Sequence, residues 1–116
     1  MRFQELVADE VFSPTLVAQA LRTTKAEIAN TLGLEEDSFV RDSRVGPRKT
    51  QVRLRQMLEI LDRVDAGTGS PLAAYAWFRA EPLPGFGDAT PDQLVREGKA
   101  DHVRAYLDRI MSGGYA

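Results

Sequence analysis

One long apolar stripe constrains this chain more than any other feature. Leu54, Met57, Leu58, Leu61 and Val64 follow the Gly46-Pro47 break at spacings of three and four. That period predicts one amphipathic helix over residues 47 to about 65, apolar on one side only. Such a side needs a cover. Two are open: the chain's own core, or the same stripe on a second copy.

The remaining sequence is cut into short helical pieces by strong punctuation. Ser13-Pro14 places a capping serine before a proline at the first helical position. A helix to about residue 22 follows, with Leu16, Val17, Ala20 and Leu21 inward. Thr24-Lys25-Ala26-Glu27 reads as a capping box. It opens a helix through Ile28, Ala29 and Leu32 that stops at Gly33. A further helix is expected over about 36–43 with Phe39 and Val40 inward. Ser70-Pro71 starts another, to about residue 79, carrying Leu72, Tyr75, Ala76, Trp77 and Phe78. Residues 3–12 read as a short helix or an ordered arm, with Phe3, Leu6, Val7, Val11 and Phe12 packing. Ala66-Gly67-Thr68-Gly69 reads as a linker dividing the chain into residues 1–66 and 67–116. The fold class is all-α.

Composition sets the frame for function. The 116 residues are 43% hydrophobic and 28% charged, the balance of an ordered soluble domain. With no cysteine, disulfides and thiolate metal sites are excluded, and a reducing cytoplasm is the expected location. Residues 1–9 mix charged and apolar positions and do not read as a signal peptide. No apolar run approaches the ~20 residues of a membrane span.

The net charge of −2 hides an uneven layout. Residues 41–55 carry six basic side chains (Arg41, Arg44, Arg48, Lys49, Arg53 and Arg55) against Asp42 alone. A solvated helix face and an anion-binding patch, with nucleic acid as the usual partner, are both open. As a patch, Arg41, Arg44, Arg48, Lys49 and Arg53 contact phosphates, which gives affinity without sequence information.

The last forty residues carry three local signals in order. An aromatic pair, Trp77-Phe78, runs into Pro82-Leu83-Pro84-Gly85-Phe86-Gly87, a loop shaped by proline and glycine. Thr90-Pro91-Asp92-Gln93 then starts a short helix that stops at Gly98, with Thr90 as N-cap and Gln93 at the capping-box position. Last comes a helix from Ala100 to Met111 with Val103, Tyr106, Leu107, Ile110 and Met111 at helical spacing, ending in Ser112-Gly113-Gly114-Tyr115-Ala116. This order resembles the toxin-binding domain of the Xre/MbcA/ParS-type antitoxins. The matching positions are Trp77, Pro82, Phe86, Gly87, Thr90, Pro91, Leu94, Gly98, Val103, Leu107, Ile110, Gly114 and Tyr115.

The resemblance implies an antitoxin of a type II toxin–antitoxin system. Its partner is a RES-domain toxin that consumes or transfers the ADP-ribose part of NAD, and the antitoxin neutralises it by occluding the active site. The expected toxin contacts are Trp77, Phe78, Phe86, Arg96, Tyr106, Gly113, Gly114, Tyr115 and Ala116. For Trp77, and for Leu94 and Leu107 beside them, packing inside the chain is the competing role. In the N-terminal half, short helix, Gly33, short helix resembles the Xre-type helix-turn-helix of the same family, with Ala29 and Gly33 four apart. Glu35-Glu36-Asp37 at the start of its second helix would repel phosphate, so a scaffold without DNA reading competes with an operator-binding regulator. A homodimer, or a hetero-oligomer with the toxin, is expected.

No catalytic constellation is visible. His102, the single histidine, stands among Asp101, Val103 and Arg104 and reads as a solvated residue. No nucleophile–base pair, phosphate cradle or metal-ligand spacing is present in the sequence. The expectation is a protein that is not an enzyme and holds no cofactor or metal.

Overall fold

The computed structural model describes residues 7–8, 11–35 and 48–112. It opens on a minimal antiparallel hairpin, β1 (Val7–Ala8) against β2 (Val11–Phe12), with Val7 opposite Phe12 and Ala8 opposite Val11. Of the two expectations, short helix or ordered arm, this ladder contradicts the helix. Phe12 is buried, and its backbone is held by one side chain. Phe12 N–H donates to Gln51 Oε1 at 2.9 Å, and Gln51 Nε2 donates to Phe12 C=O at 3.1 Å.

Six helices follow among the described residues, so the fold is all-α apart from that ladder. They are α1 (Pro14–Ala20), α2 (Lys25–Leu32), α3 (Arg48–Thr68), α4 (Pro71–Ala80), α5 (Pro91–Arg96) and α6 (Ala100–Met111). The local signals act as their chemistry requires. Ser13, Thr24 and Ser70 each accept a backbone N–H of the first turn at 3.1–3.2 Å. Gly33 closes α2 in the left-handed region at φ +66°, and Leu34 N–H bonds back to Ala29 C=O at 2.8 Å. The segment expected to be helical over 36–43 lies outside the described residues, as does Pro47 ahead of α3.

The stripe of α3 is covered by the chain itself. Leu54, Met57, Leu58, Leu61 and Val64 are buried, joined by Ile60 and Thr50. Each fully buried leucine or isoleucine contributes about 1.5–3 kcal/mol, which makes α3 the axis of the fold. The other helices lie around it. Helix α4 runs back along α3 after a turn at Gly69, and α5 touches α2, α3, α4 and α6. One apolar cluster joins Val17, Ile28 and Leu32 of the first two helices to Phe78, Leu94, Val103 and Leu107 of the last three.

The expected linker is displaced. Ala66, Gly67 and Thr68 form the last turn of α3, and the chain breaks only at Gly69, φ +74°. A lone glycine in a helix costs about 1 kcal/mol against alanine, too little to end a helix whose other face is buried.

Candidate functional site

After α4 the chain ties a compact loop. Leu83 is fully buried and anchors it. Three backbone bonds close it: Leu83 N–H to Ala89 C=O, Phe86 N–H to Leu83 C=O and Ala89 N–H to Phe86 C=O, at 3.0–3.2 Å. Gly85 and Gly87 take positive φ there, and so does Asp88, a residue type that tolerates that region. The loop holds the Phe86 ring 5.3 Å from the His102 ring on α6. One turn along α6 is Tyr106, with the Arg109 guanidinium 6.0 Å from its ring centroid. Phe86, His102, Tyr106 and Arg109 thus form a strip of rings and guanidinium along the outside of the last helix. Phe86 and Tyr106 are half-buried, and His102 and Arg109 are exposed.

Four of the expected toxin contacts, Gly113, Gly114, Tyr115 and Ala116, lie outside the described residues. Phe86 and Tyr106 stand on the strip, and Trp77 is half-buried against the core. Phe78 is corrected: it is 0% exposed, on the inner face of α4 with Ala74 and Tyr75, and serves packing rather than contact. Arg96 is half-exposed, and its guanidinium donates to Thr31 C=O and to Asp92 Oδ2, each at 3.0 Å.

Arg96 belongs to a junction that sequence reasoning missed. Asp92 is nearly buried, and Thr90 Oγ1 and Gln93 N–H both donate to its Oδ1. Asp92 therefore caps α5 in place of the expected Thr90–Gln93 box, in which Thr90 makes no side-chain cap bond. Arg53 reaches the same place from α3. It donates to Leu32 C=O at 2.8 Å, Gly33 C=O at 3.1 Å and Arg96 C=O at 2.9 Å. These carbonyls are among the orphan acceptors at the C-terminal ends of α2 and α5, and cations suit those ends. Nearby, Thr31 Oγ1 and Tyr75 Oη lie 3.0 Å apart in a buried pair, and Thr31 Oγ1 donates to Glu27 C=O. Burial pushes the Tyr75 hydroxyl above its ordinary value, against the opposing pull of Thr31. The signals for the junction were present: Asp in the first turn of α5 with Arg four residues on, and an arginine one turn before Met57 that the charge block absorbed.

The basic block divides in the same way. Arg41 and Arg44 lie outside the described residues, Arg48 and Lys49 are exposed at the start of α3, and Arg53 is committed to carbonyls instead of phosphates. Arg55 lies over the Phe12 ring at 5.8 Å. Among the described residues no cluster of acidic or histidine side chains could hold a metal ion, and no helix is long and apolar enough to cross a membrane.

The fold therefore defines a class: a small all-helical module with an arginine-locked interior and an aromatic outer strip on its last helix. Residues 63–113 match the family model of the antitoxin Xre/MbcA/ParS C-terminal toxin-binding domain, so this part of the chain is similar to that family. The match begins inside α3 and takes in α4, the closed loop, α5 and α6. No curated protein and no solved structure matches the chain.

Proposed function

We propose that the protein is the antitoxin of a type II toxin–antitoxin pair, and that its partner is a RES-domain toxin acting on the ADP-ribose part of NAD. The observation that carries this reading is the toxin-binding domain over residues 63–113. Its outer strip supports it: Phe86, Tyr106 and Arg109 are of the aromatic and arginine types that dominate interface energies. In this reading the protein performs no reaction itself and acts in the cytoplasm. Residues 113–116 enter the toxin's active site, where two glycines allow close approach and Tyr115 fills the pocket.

The test is co-expression with the protein encoded in the adjacent reading frame, which this reading expects to be of the RES class. The expected result is a co-purifying complex in which NAD consumption by the toxin is suppressed. Deleting residues 113–116 should restore NAD consumption while leaving a complex. If suppression survives that deletion unchanged, the occlusion mechanism fails.

A second reading, operator binding with autorepression, rests on Arg48 and Lys49 standing exposed on the first turn of α3. It predicts affinity for the protein's own upstream DNA that falls steeply with salt, by a logarithmic slope of about −0.9 per phosphate neutralised. Gel shifts of the lone protein at two salt concentrations measure it, and binding insensitive to salt would remove this reading.

A further inference from the structure

We infer that the groove between the first half of α3 and the end of α5 binds a small amphipathic anion, an apolar ring or chain carrying one phosphate or carboxylate. The inference needs neither the toxin nor the operator reading.

The site begins with a face of α3 that the core leaves out. Arg48, Val52 and Gln56 form one row at a spacing of four, and Lys49 and Arg53 form the row beside it. The buried stripe takes Thr50, Leu54, Met57, Leu58 and Leu61 instead. The facing wall is α5 and the turn after it, through Val95, 1% exposed, and Gly98. Together these residues line a groove of about 320 Å³, within the range of small-molecule sites. A Cβ on Gly98 would meet nothing within 4 Å, so the groove is open at that end.

Charge and polarity select the ligand. Arg48 and Lys49 are exposed, and among the described residues neither makes a hydrogen bond or an ion pair. The half-buried Gln56 amide is uncommitted in the same sense. Arg53 is fixed by its three carbonyl bonds, so that wall needs no ordering when a ligand arrives. No carboxylate stands among the described lining residues. The cleft between α2, α4 and α5 differs, since there Arg96 meets Asp92 at 3.0 Å and Arg79 lies 4.0 Å from Glu27. An anion is therefore the ligand that balances this groove. A bare phosphate, or a DNA backbone, would use the cations alone. Val52, 40% exposed, and Val95 add surface that only an apolar body can use. An organic anion meets both demands, with its ring on the valines and its oxyanion at Arg48 and Lys49.

The experiment titrates the full chain with 1-naphthyl phosphate, naphthalene-1-carboxylate and inorganic phosphate at constant ionic strength, followed by amide chemical shifts. At least one aromatic probe should saturate with a Kd below about 1 mM and move the amides of residues 48–56 and 95–98. Whichever aromatic probe binds more tightly identifies the headgroup. Inorganic phosphate should bind at least about tenfold more weakly. Arg48→Gln combined with Lys49→Gln should weaken the better probe at least about tenfold, and Val52→Ser about threefold. All three positions are exposed, so both variants should melt within a few degrees of wild type. The inference is overturned by absence of saturable binding, by shifts centred elsewhere, or by unchanged affinity in both variants. Inorganic phosphate binding as tightly as the aromatic probes overturns it in favour of a plain phosphate-contact surface. A wild-type dimer in light scattering that Val52→Ser dissociates overturns it in favour of a second copy. Binding that appears only in Phe39→Ser combined with Val40→Ser overturns it in favour of the chain's own residues as occupant.

Discussion

The junction between α2, α3 and α5 and the distal end of α6 are opposites in composition and exposure. The junction is built from charged and polar side chains, Arg53, Asp92, Arg96 and Thr31, tied to one another and to helix-end carbonyls. The distal end of α6 carries Ile110 and Met111, and they face water. Side-chain type alone reverses the two roles. What decides is the unmet need nearby. Helix ends leave carbonyls without partners, and a guanidinium satisfies several at once. The apolar stripe of α6 continues through Ile110 and Met111, which are exposed among the described residues.

Substitutions can break this contrast or sharpen it. The largest effect is expected for Arg53→Ala, which strips a donor from three carbonyls at two helix ends and should cost about 2–3 kcal/mol in chemical denaturation. Arg53→Lys should recover only part of that, since one ammonium cannot reproduce the fork. A loss below about 0.5 kcal/mol would mean that the junction is a surface feature after all. Gly33→Ala comes next, at about 1–2 kcal/mol. Its Cβ would be strained at φ +66° and would stand 2.9 Å from Arg96 Cδ, whose flexible chain can give way in part.

Tyr75→Phe should cost about 1 kcal/mol at neutral pH through loss of the buried bond to Thr31. It should also change the alkaline limb. Burial raises the folded-state value of Tyr75 above the ordinary 10.0, so the unfolded chain releases that proton first. The tyrosine's contribution is complete below about pH 10 and is lost as pH climbs through the higher folded value. Wild type should therefore lose stability above pH 10 more steeply than Tyr75→Phe in a denaturation series. The smallest effect belongs to the distal end. Ile110→Ser should change folding stability by less than about 0.5 kcal/mol, and a larger loss would place Ile110 in the core.

Much of the fold is legible in the sequence because its punctuation is local. Ser13, Thr24 and Ser70 act within their own first turns, and Ala100 to Met111 spans the last helix as its spacing predicts. What escapes is decided by groups distant in the chain. Arg53 reads as one more charge in a basic block until the ends of α2 and α5 come beside it, 20 and 43 residues away. Phe78 and Trp77 are neighbours in sequence, but their directions from the helix axis separate a fully buried ring from a half-exposed one. Glycine at position 67 misleads for the converse reason, since the packed face of α3 overrides a weak local preference. The end of α6 is half legible: periodicity marks Ile110 and Met111 as apolar-face residues, and only the structure shows that they are exposed.

The amide of Gln51 has a consequence beyond holding the N-terminal hairpin. By taking both the hydrogen and the oxygen of Phe12, it acts as a one-residue third strand and leaves nothing at that position for a foreign strand to latch onto. A leucine there would keep the bulk yet reopen the seam. The chain would then be expected to form sheet-like fibres on storage, with its helices still intact.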